Sequence, residues 1–327
     1  MKKFEPGYIK LYKSGELAER VSNAGKFISP CKSCPSCCGI DRAAGILGKC
    51  FSGLLPVVSS YTPHFGEEPV LSGINGAGNI FFGNCNLSCS FCQNFEISQN
   101  WRSEKVHEIS TGRLADIMLE LQNKKCHNIG LVSPTHFSAP ILESISLAVS
   151  KGLIIPIIYN SNGYDSVEIL GLYDGIIDIY LPDFKYGDNA TARKYSKVEN
   201  YFDSAKEAIK EMYRQVGDQL IYEDGILVRG LIIRHLILPN GLSESENIFK
   251  FISEELSRNV HISLMSQYYP ANQAHKDILI NRTIRESEYE KVINLMDKYG
   301  LHQGWTQEIS SNEYYRPNFK DNRGQPF

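Results

Sequence analysis

Residues 80–92 read Ile80-Phe81-Phe82-Gly83-Asn84-Cys85-Asn86-Leu87-Ser88-Cys89-Ser90-Phe91-Cys92. A short apolar run ends in Gly-Asn, and three cysteines follow at CX3CX2C spacing. The run suits a strand buried on both faces, which puts the cysteines in a loop at its C-terminal end. Three thiolates so spaced can hold three irons of a 4Fe-4S cluster and leave the fourth iron without a protein ligand. A ferredoxin-type run would supply a fourth cysteine, yet none follows until Cys126. Structural zinc prefers four ligands in paired short spacings, and the next histidine is His107. The loop therefore reads as a cluster site with one open iron.

Further runs rich in isoleucine and valine recur downstream: Ile129 to Val132, Ile154 to Tyr159, Ile176 to Leu181, Leu231 to Leu238 and Ile262 to Met265. Between most of them lie helically spaced apolar residues, such as Leu114, Ile117, Met118 and Leu121, or Ile248, Phe251, Ile252 and Leu256. This alternation predicts an α/β protein with a parallel sheet. Six units make a partial TIM-like (β/α)6 barrel, with its chemistry at the C-terminal strand ends. An open doubly wound sheet is the competing architecture, and the glycines around the first strand form no phosphate-binding fingerprint that would decide between them.

Upstream, Leu17 and Val21 predict one short helix, and residues 27–75 are rich in Cys, Gly, Pro and Ser with too few apolar side chains for their own core. A small metal-stapled module is expected there, because ligand bonds can stabilise what burial cannot. The organisation read from the chain is residues 1–75 as helix and Cys-rich module, 76–300 as barrel and 301–327 as C-terminal tail. Asp224-Gly225 predicts a hairpin near residues 220–230. The 327-residue chain carries a formal net charge of only -3 with interspersed signs, so it offers no nucleic-acid footprint. The N-terminus lacks the apolar core of a secretory signal, and Gly152 to Tyr159 is too short to span a bilayer, so a soluble cytoplasmic protein is expected. In that compartment nine cysteines read as thiols and ligands rather than disulfides.

The motif resembles the radical SAM superfamily, whose CX3CX2C carries an aromatic residue before the last cysteine, here Phe91. Cys31-Lys32-Ser33-Cys34-Pro35, Cys38-Gly39, Gly45, Cys50, His64-Phe65-Gly66-Glu67-Glu68-Pro69, Ile80-Phe81-Phe82, Cys92-Gln93-Asn94, Pro134-Thr135-His136, Asp183-Phe184-Lys185 and Met265-Ser266-Gln267-Tyr268 extend the likeness. They are similar to an uncharacterised branch related to pyruvate formate-lyase activating enzymes, from residue 27 to about 300. The resemblance implies that Cys85, Cys89 and Cys92 hold a 4Fe-4S cluster whose open iron is chelated by S-adenosylmethionine (SAM). Its reductive cleavage would give a 5'-deoxyadenosyl radical. The cofactors would carry the hard chemistry, and the protein would seat SAM and exclude water.

Candidate SAM contacts follow strand by strand. Tyr159-Asn160-Ser161-Asn162-Gly163 ends the third strand and resembles the Asn-Gly turn of activating enzymes, which marks Asn160, Asn162 and Gly163. Asp183 and Lys185 end the fourth strand, where the related Asp-x-Lys arranges the methionine end of SAM; an ordinary ion pair is the alternative. Arg234 and His235 interrupt the fifth strand, and since neighbours point to opposite faces only one can face the interior. Gln267 ends the sixth. One departure is plain: the superfamily's glycine-rich run after the second strand is replaced by Ser133-Pro134-Thr135-His136, so Ser133 and Thr135 take its place as candidates. Gly66-Glu67-Glu68-Pro69 precedes the cluster loop and is not that run.

Cys31, Cys34, Cys38 and Cys50 match the branch's CX2CPX3C with a later cysteine and fit either a second 4Fe-4S cluster or zinc. Cys37 is an extra thiol beside them, and Cys126 is expected only to pack. The expected reductant is a flavodoxin or ferredoxin. The resemblance implies hydrogen abstraction from a partner glycyl-radical enzyme, with a small molecule, peptide or RNA as the alternative substrate. An iron-sulfur electron carrier or sensor is the reading from another class.

Overall fold

The computed structural model describes residues 3–313 and 316–327, and among them one sheet of nine strands organises the chain. The strands are β1 (Val58–His64), β2 (Ala77–Phe82), β3 (Ile129–Val132), β4 (Ile157–Ser161), β5 (Ile179–Pro182), β6 (Ile221–Glu223), β7 (Ile226–Leu236), β8 (His261–Met265) and β9 (Gly304–Thr306). Their order is β1-β2-β3-β4-β5-β7-β8-β9, with β6 hanging from β7 as a hairpin. All pairings from β2 to β9 along this path are parallel, whereas β1 runs antiparallel to β2. A doubly wound sheet reverses its strand order at a switch point. Here the order never reverses, so β2, β3, β4, β5, β7 and β8 make the expected partial (β/α)6 barrel.

The strand pleat sorts side chains between two faces. Ile129, Leu131, Ile157, Tyr159, Tyr180, Ile233, Ile262 and Leu264 join the large core beneath the helices. Ile158, Ile179, Leu181, Leu227 and Ile232 form a separate cluster on the concave face, closed by Leu71. Leu71 belongs to the short helix Pro69–Ser72 on the β1–β2 connection, which lies at the N-terminal ends of the parallel strands and plugs the barrel there. The helix Thr111–Asn123 shows how the outer layer forms. Ser110 Oγ accepts from Arg113 N at 3.1 Å as its N-cap, and Leu114, Ile117, Met118 and Leu121 bury the face that their spacing predicted. Each such buried side chain contributes roughly 1.5–3 kcal/mol.

Several boundaries move. The single helix expected around Leu17 and Val21 is two helices, Gly7–Ser14 and Glu16–Gly25, because Gly15 between them adopts φ +85°. The third barrel strand starts at Ile157, since Pro156 has no N–H to donate and Ile154 is exposed. Ile176 and Ile177 pack in the core ahead of β5. Leu256 ends a π turn, Ile252–Leu256, that continues the helix Ser245–Phe251. The sheet also takes in β1 and β9, outside the 76–300 span. A Cβ on Gly304 would stand 2.0 Å from Ile262 O, so only glycine lets β9 approach β8. No helix among the described residues is long and apolar enough to cross a membrane.

Candidate active site

β2 delivers the loop of residues 83–92 to the C-terminal mouth of the barrel, and backbone bonds pin it from several sides. Asn84 N donates to Ile97 O at 2.8 Å, Ser88 N to Ser196 O at 3.1 Å and Ser90 N to Tyr195 O at 2.8 Å, while Gln273 N donates to Ser90 O at 2.8 Å. Asn84 itself sits at φ +64°, a left-handed conformation that asparagine tolerates and that turns the chain out of the strand. Phe91 points down into the core, edge-on to Tyr268 and Tyr186.

Each thiol has its own polar neighbour. Cys85 Sγ accepts from Leu87 N and Asn162 Nδ2, both at 3.4 Å; Cys89 Sγ lies 2.9 Å from Ser196 Oγ, and Cys92 Sγ 3.2 Å from Ser98 Oγ. Burial pushes the Cys85 thiol up to about 12 and the Cys89 thiol to about 11, and raises Cys92 as well. Such thiols ionise when a cation arrives to hold the charge, as a metal cluster does. No three His, Cys, Asp or Glu side chains among the described residues are gathered around a single-ion position. Three thiols on one loop, Cys89 buried and Cys85 and Cys92 half-buried, each on a separate hydrogen-bond partner, can serve as the three protein ligands of a cubane cluster.

Lys185 is the positive charge of this mouth. Its Nζ pairs with Asp183 Oδ2, and its field reaches Cys89 and Cys92. Burial by itself would lower the Lys185 ammonium, but Asp183 and the two thiols outweigh burial and raise it. Gly163 lies against the same turn: a Cβ there would stand 2.3 Å from Asp183 O, and its φ is +79°. Tyr201, the first residue of the helix Tyr201–Val216, ties these turns together. Its hydroxyl donates to Asn162 O or Asp183 O, each at 2.9 Å, and accepts from Lys185 N at 2.9 Å. Nothing in the sequence pattern singled Tyr201 out, because one aromatic at a helix start looks like packing.

The other candidates divide. Asn162 turns inward to the cysteine loop, donating to Asn86 Oδ1 at 2.7 Å as well as to Cys85, and its own Oδ1 accepts from Tyr164 N at 3.0 Å. Asn160 stands on the concave side of β4, level with Val132 and Leu181. Ser133 follows β3 at φ +58° and donates its N–H to Asn160 O at 2.8 Å. Thr135 is spent elsewhere, donating at 2.6 Å to the buried Asp165, which also accepts from Tyr159 and Ser161. Gln267 borders the mouth, its backbone O bound by Gln93 and its amide oxygen by Gln307.

Arg234 and His235 point to opposite faces, as alternation requires. Arg234 shares the concave face with Ile232 and pairs with Glu67 and Glu68 from the plug. Asn79 Nδ2 donates to Glu67 at 2.6 Å, so the run that precedes the cluster loop ends up inside the barrel. Burial would raise the Glu67 carboxyl, but the Arg234 guanidinium outweighs it and holds it well below the usual carboxylate range. His235 instead faces the helices. Its Nδ1 lies 2.7 Å from Phe184 O and its Nε2 2.8 Å from Ser245 Oγ, and burial pulls it down to about 4. It therefore braces the backbone between Asp183 and Lys185 from the helix side and does not line the concave face.

The Cys-rich segment abuts this loop. Asn86 lines the same small cavity as Cys31, Cys34, Cys37, Cys38 and Cys50. Cys126 is buried in the core under β2, as a packing residue.

The model of the Radical SAM superfamily matches residues 79–229. The uncharacterized protein MJ0674 of Methanocaldococcus jannaschii is 33% identical over 309 residues, covering 91% of this chain and 83% of that protein. Among solved structures, HydG, a maturase of the FeFe-hydrogenase, aligns with TM-score 0.45 and 12% identity over 68% of this chain and 49% of its own, so this chain spans about half its length. TYW1, solved with a lysine-pyruvate adduct, aligns with TM-score 0.40 and 12% identity over 72% of this chain and 77% of its own. Methylornithine synthase (PylB) aligns with TM-score 0.45 and 16% identity over 76% of this chain and 69% of its own.

Proposed function

Because this chain belongs to the radical SAM superfamily, we propose that its barrel mouth seats SAM against a 4Fe-4S cluster on Cys85, Cys89 and Cys92 and directs the resulting radical at a C–H bond of a partner polypeptide. Membership implies SAM cleavage at an iron-sulfur cluster. The observation that carries the residue assignment is one juxtaposition: three thiols on a strand-end loop, with the Lys185–Asp183 pair in the field of Cys89 and Cys92.

When bound, the cluster supplies one electron to the SAM sulfonium, releasing methionine and a 5'-deoxyadenosyl radical. This chain's own residues prepare that event. Asn162 holds Cys85 and Asn86 in register. Tyr201 and Gly163 fix the turn that presents Asp183 and Lys185. Lys185 offers an ammonium to the SAM carboxylate, and Asp183 orients that ammonium or meets the SAM amino group. Asn160, Ser133 and Gln267 complete the rim as neutral hydrogen-bonding groups. Arg234, locked to Glu67 and Glu68, acts as a positioning residue for the concave wall.

For the substrate we adopt the glycine Cα–H of a glycyl-radical enzyme, supported by the run of motifs that resembles activating enzymes. The reductant we assign is a flavodoxin or ferredoxin. Two measurements test the reading. SAM added to the reduced, cluster-loaded protein should perturb its electron paramagnetic resonance spectrum, and a cognate glycyl-radical enzyme should then develop a glycyl radical signal. A spectrum indifferent to SAM contradicts the site assignment; SAM turnover with no radical on such a partner contradicts only the substrate.

A further inference from the structure

The N-terminal cysteines are not needed for the loop chemistry, yet they converge. Cys31, Cys34, Cys38 and Cys50 line one small cavity with Arg42 and Asn86. Cys37 stands apart. It is exposed, adopts φ +37°, and turns its Sγ to Cys34 O at 3.5 Å. Gly48 leaves space for the Cys38 sulfur, because a Cβ there would come within 2.8 Å of it.

A second, independent feature is a buried arginine. Arg42 is only 4% exposed, and no carboxylate among the described residues pairs with it. Its Nη1 donates to His136 O at 2.6 Å and more loosely to Gly53 O at 3.4 Å; its Nη2 reaches Cys50 Sγ at 3.4 Å, and its Nε has no partner. His136 Nδ1, equally buried, is also without one. A buried guanidinium without a counter-charge is strongly destabilising. Neutral thiols do not offset that cost, whereas four thiolates around a 4Fe-4S core in its oxidised state carry roughly two net negative charges and accept N–H···S bonds.

We infer that Cys31, Cys34, Cys38 and Cys50 hold a second 4Fe-4S cluster, with Arg42 as its buried counter-charge and hydrogen-bond donor, and that Cys37 is not a ligand. A zinc tetrathiolate, with bonds of about 2.3 Å, would carry the same net charge, so the metal count below separates the two. The site also adjoins the first. Asn86 lines its cavity and bonds through Asn162 to the turn that binds Cys85, while Ser36 lies against Tyr164, whose backbone O holds Asn86. Hydrogen bonds and charge at the sulfurs set a cluster's reduction potential, so Arg42 should hold this one higher than a bare four-cysteine site would.

The test uses the whole chain, reconstituted without oxygen. Wild type should hold about eight irons and eight sulfides, and a C85A/C89A/C92A variant about four of each, with a reducible paramagnetic signal indifferent to SAM. In that variant, adding Arg42→Gln should shift the midpoint potential downward, and adding Cys37→Ala should leave the iron count unchanged. About four irons plus one zinc in wild type, or no iron in the triple variant while its circular dichroism stays native, overturns the inference. The proposed function fails separately: it is contradicted when the C31A/C34A/C38A/C50A variant keeps about four irons whose signal ignores SAM.

Discussion

The two cysteine segments of this chain position their thiols by opposite means. The Cys85 loop grows out of β2 and is bonded to residues far along the chain, at Ser196, Tyr195 and Gln273. The Cys31–Cys50 segment closes mostly on itself, through Cys31 N to Ile40 O, Gly39 N to Cys31 O, Cys37 N to Cys34 O and Ile46 N to Asp41 O, with no named helix or strand between residues 26 and 57. The barrel shapes the first site before any metal arrives. The second is tied to the barrel by fewer bonds, chiefly Arg42 to His136 O and Asn84 to Phe51 O and Ser52 Oγ, so on the proposal of a second cluster its order should depend more on metal.

The sharpest way to break this contrast is to remove the metal. After chelation, limited proteolysis within residues 27–57 should accelerate on the order of 100-fold, while cleavage within the barrel changes little. Equal protection of both regions would mean that the N-terminal segment is also held by packing. The next effect belongs to the Cys85 side. Lys185→Ala strands the Asp183 carboxylate in a largely buried site, and SAM affinity should fall about 30-fold, roughly 2 kcal/mol, with iron content near wild type. Unchanged affinity by calorimetry would reduce the pair to an ordinary ion pair. Asp183→Ala should act in the same direction.

Acid should separate the two regions further, because no histidine lies N-terminal to His64. His235 is pulled down to about 4 in the fold, against about 6.5 unfolded. A depressed folded value means that its contribution is complete above about pH 6.5 and is lost as pH falls toward 4. Between pH 7.5 and 5 the barrel should lose about 2 kcal/mol from this residue. Denaturant titrations at the two pH values check it, and a His235→Gln variant with the same pH slope as wild type would remove His235 as the cause. The smallest effect expected is at Asn162, whose loss takes a donor from Cys85 and Asn86. Asn162→Ala should weaken cluster retention on the Cys85 loop by about tenfold against a chelator and leave metal bound by the N-terminal cysteines unaffected.

What the sequence disclosed follows the same division. Six buried strands were legible because parallel strands covered on both faces must be continuously apolar, and the cysteine loop because its spacing has few other uses. β1 was hidden: Val58-Ser59-Ser60-Tyr61-Thr62-Pro63-His64 is a polar edge strand, with its Ser60 hydroxyl bonded to Arg323 O rather than packed in a core. β9 is three residues long and rests on a glycine. The candidate site was legible where residues end a strand, as at Asp183, Lys185 and Gly163. It was not where tertiary contacts decide, as with Tyr201 bridging two turns, Thr135 turned toward Asp165, or Arg234 finding Glu67 and Glu68 across the barrel.

The central claim is that the loop of Cys85, Cys89 and Cys92 cleaves SAM, and product analysis tests it most directly. Reconstituted wild-type protein, incubated anaerobically with SAM and a strong one-electron reductant, should release 5'-deoxyadenosine and methionine in equal amounts. Cys89→Ala should release neither. Cleavage by Cys89→Ala at the wild-type rate would contradict the assignment of this loop as the catalytic centre.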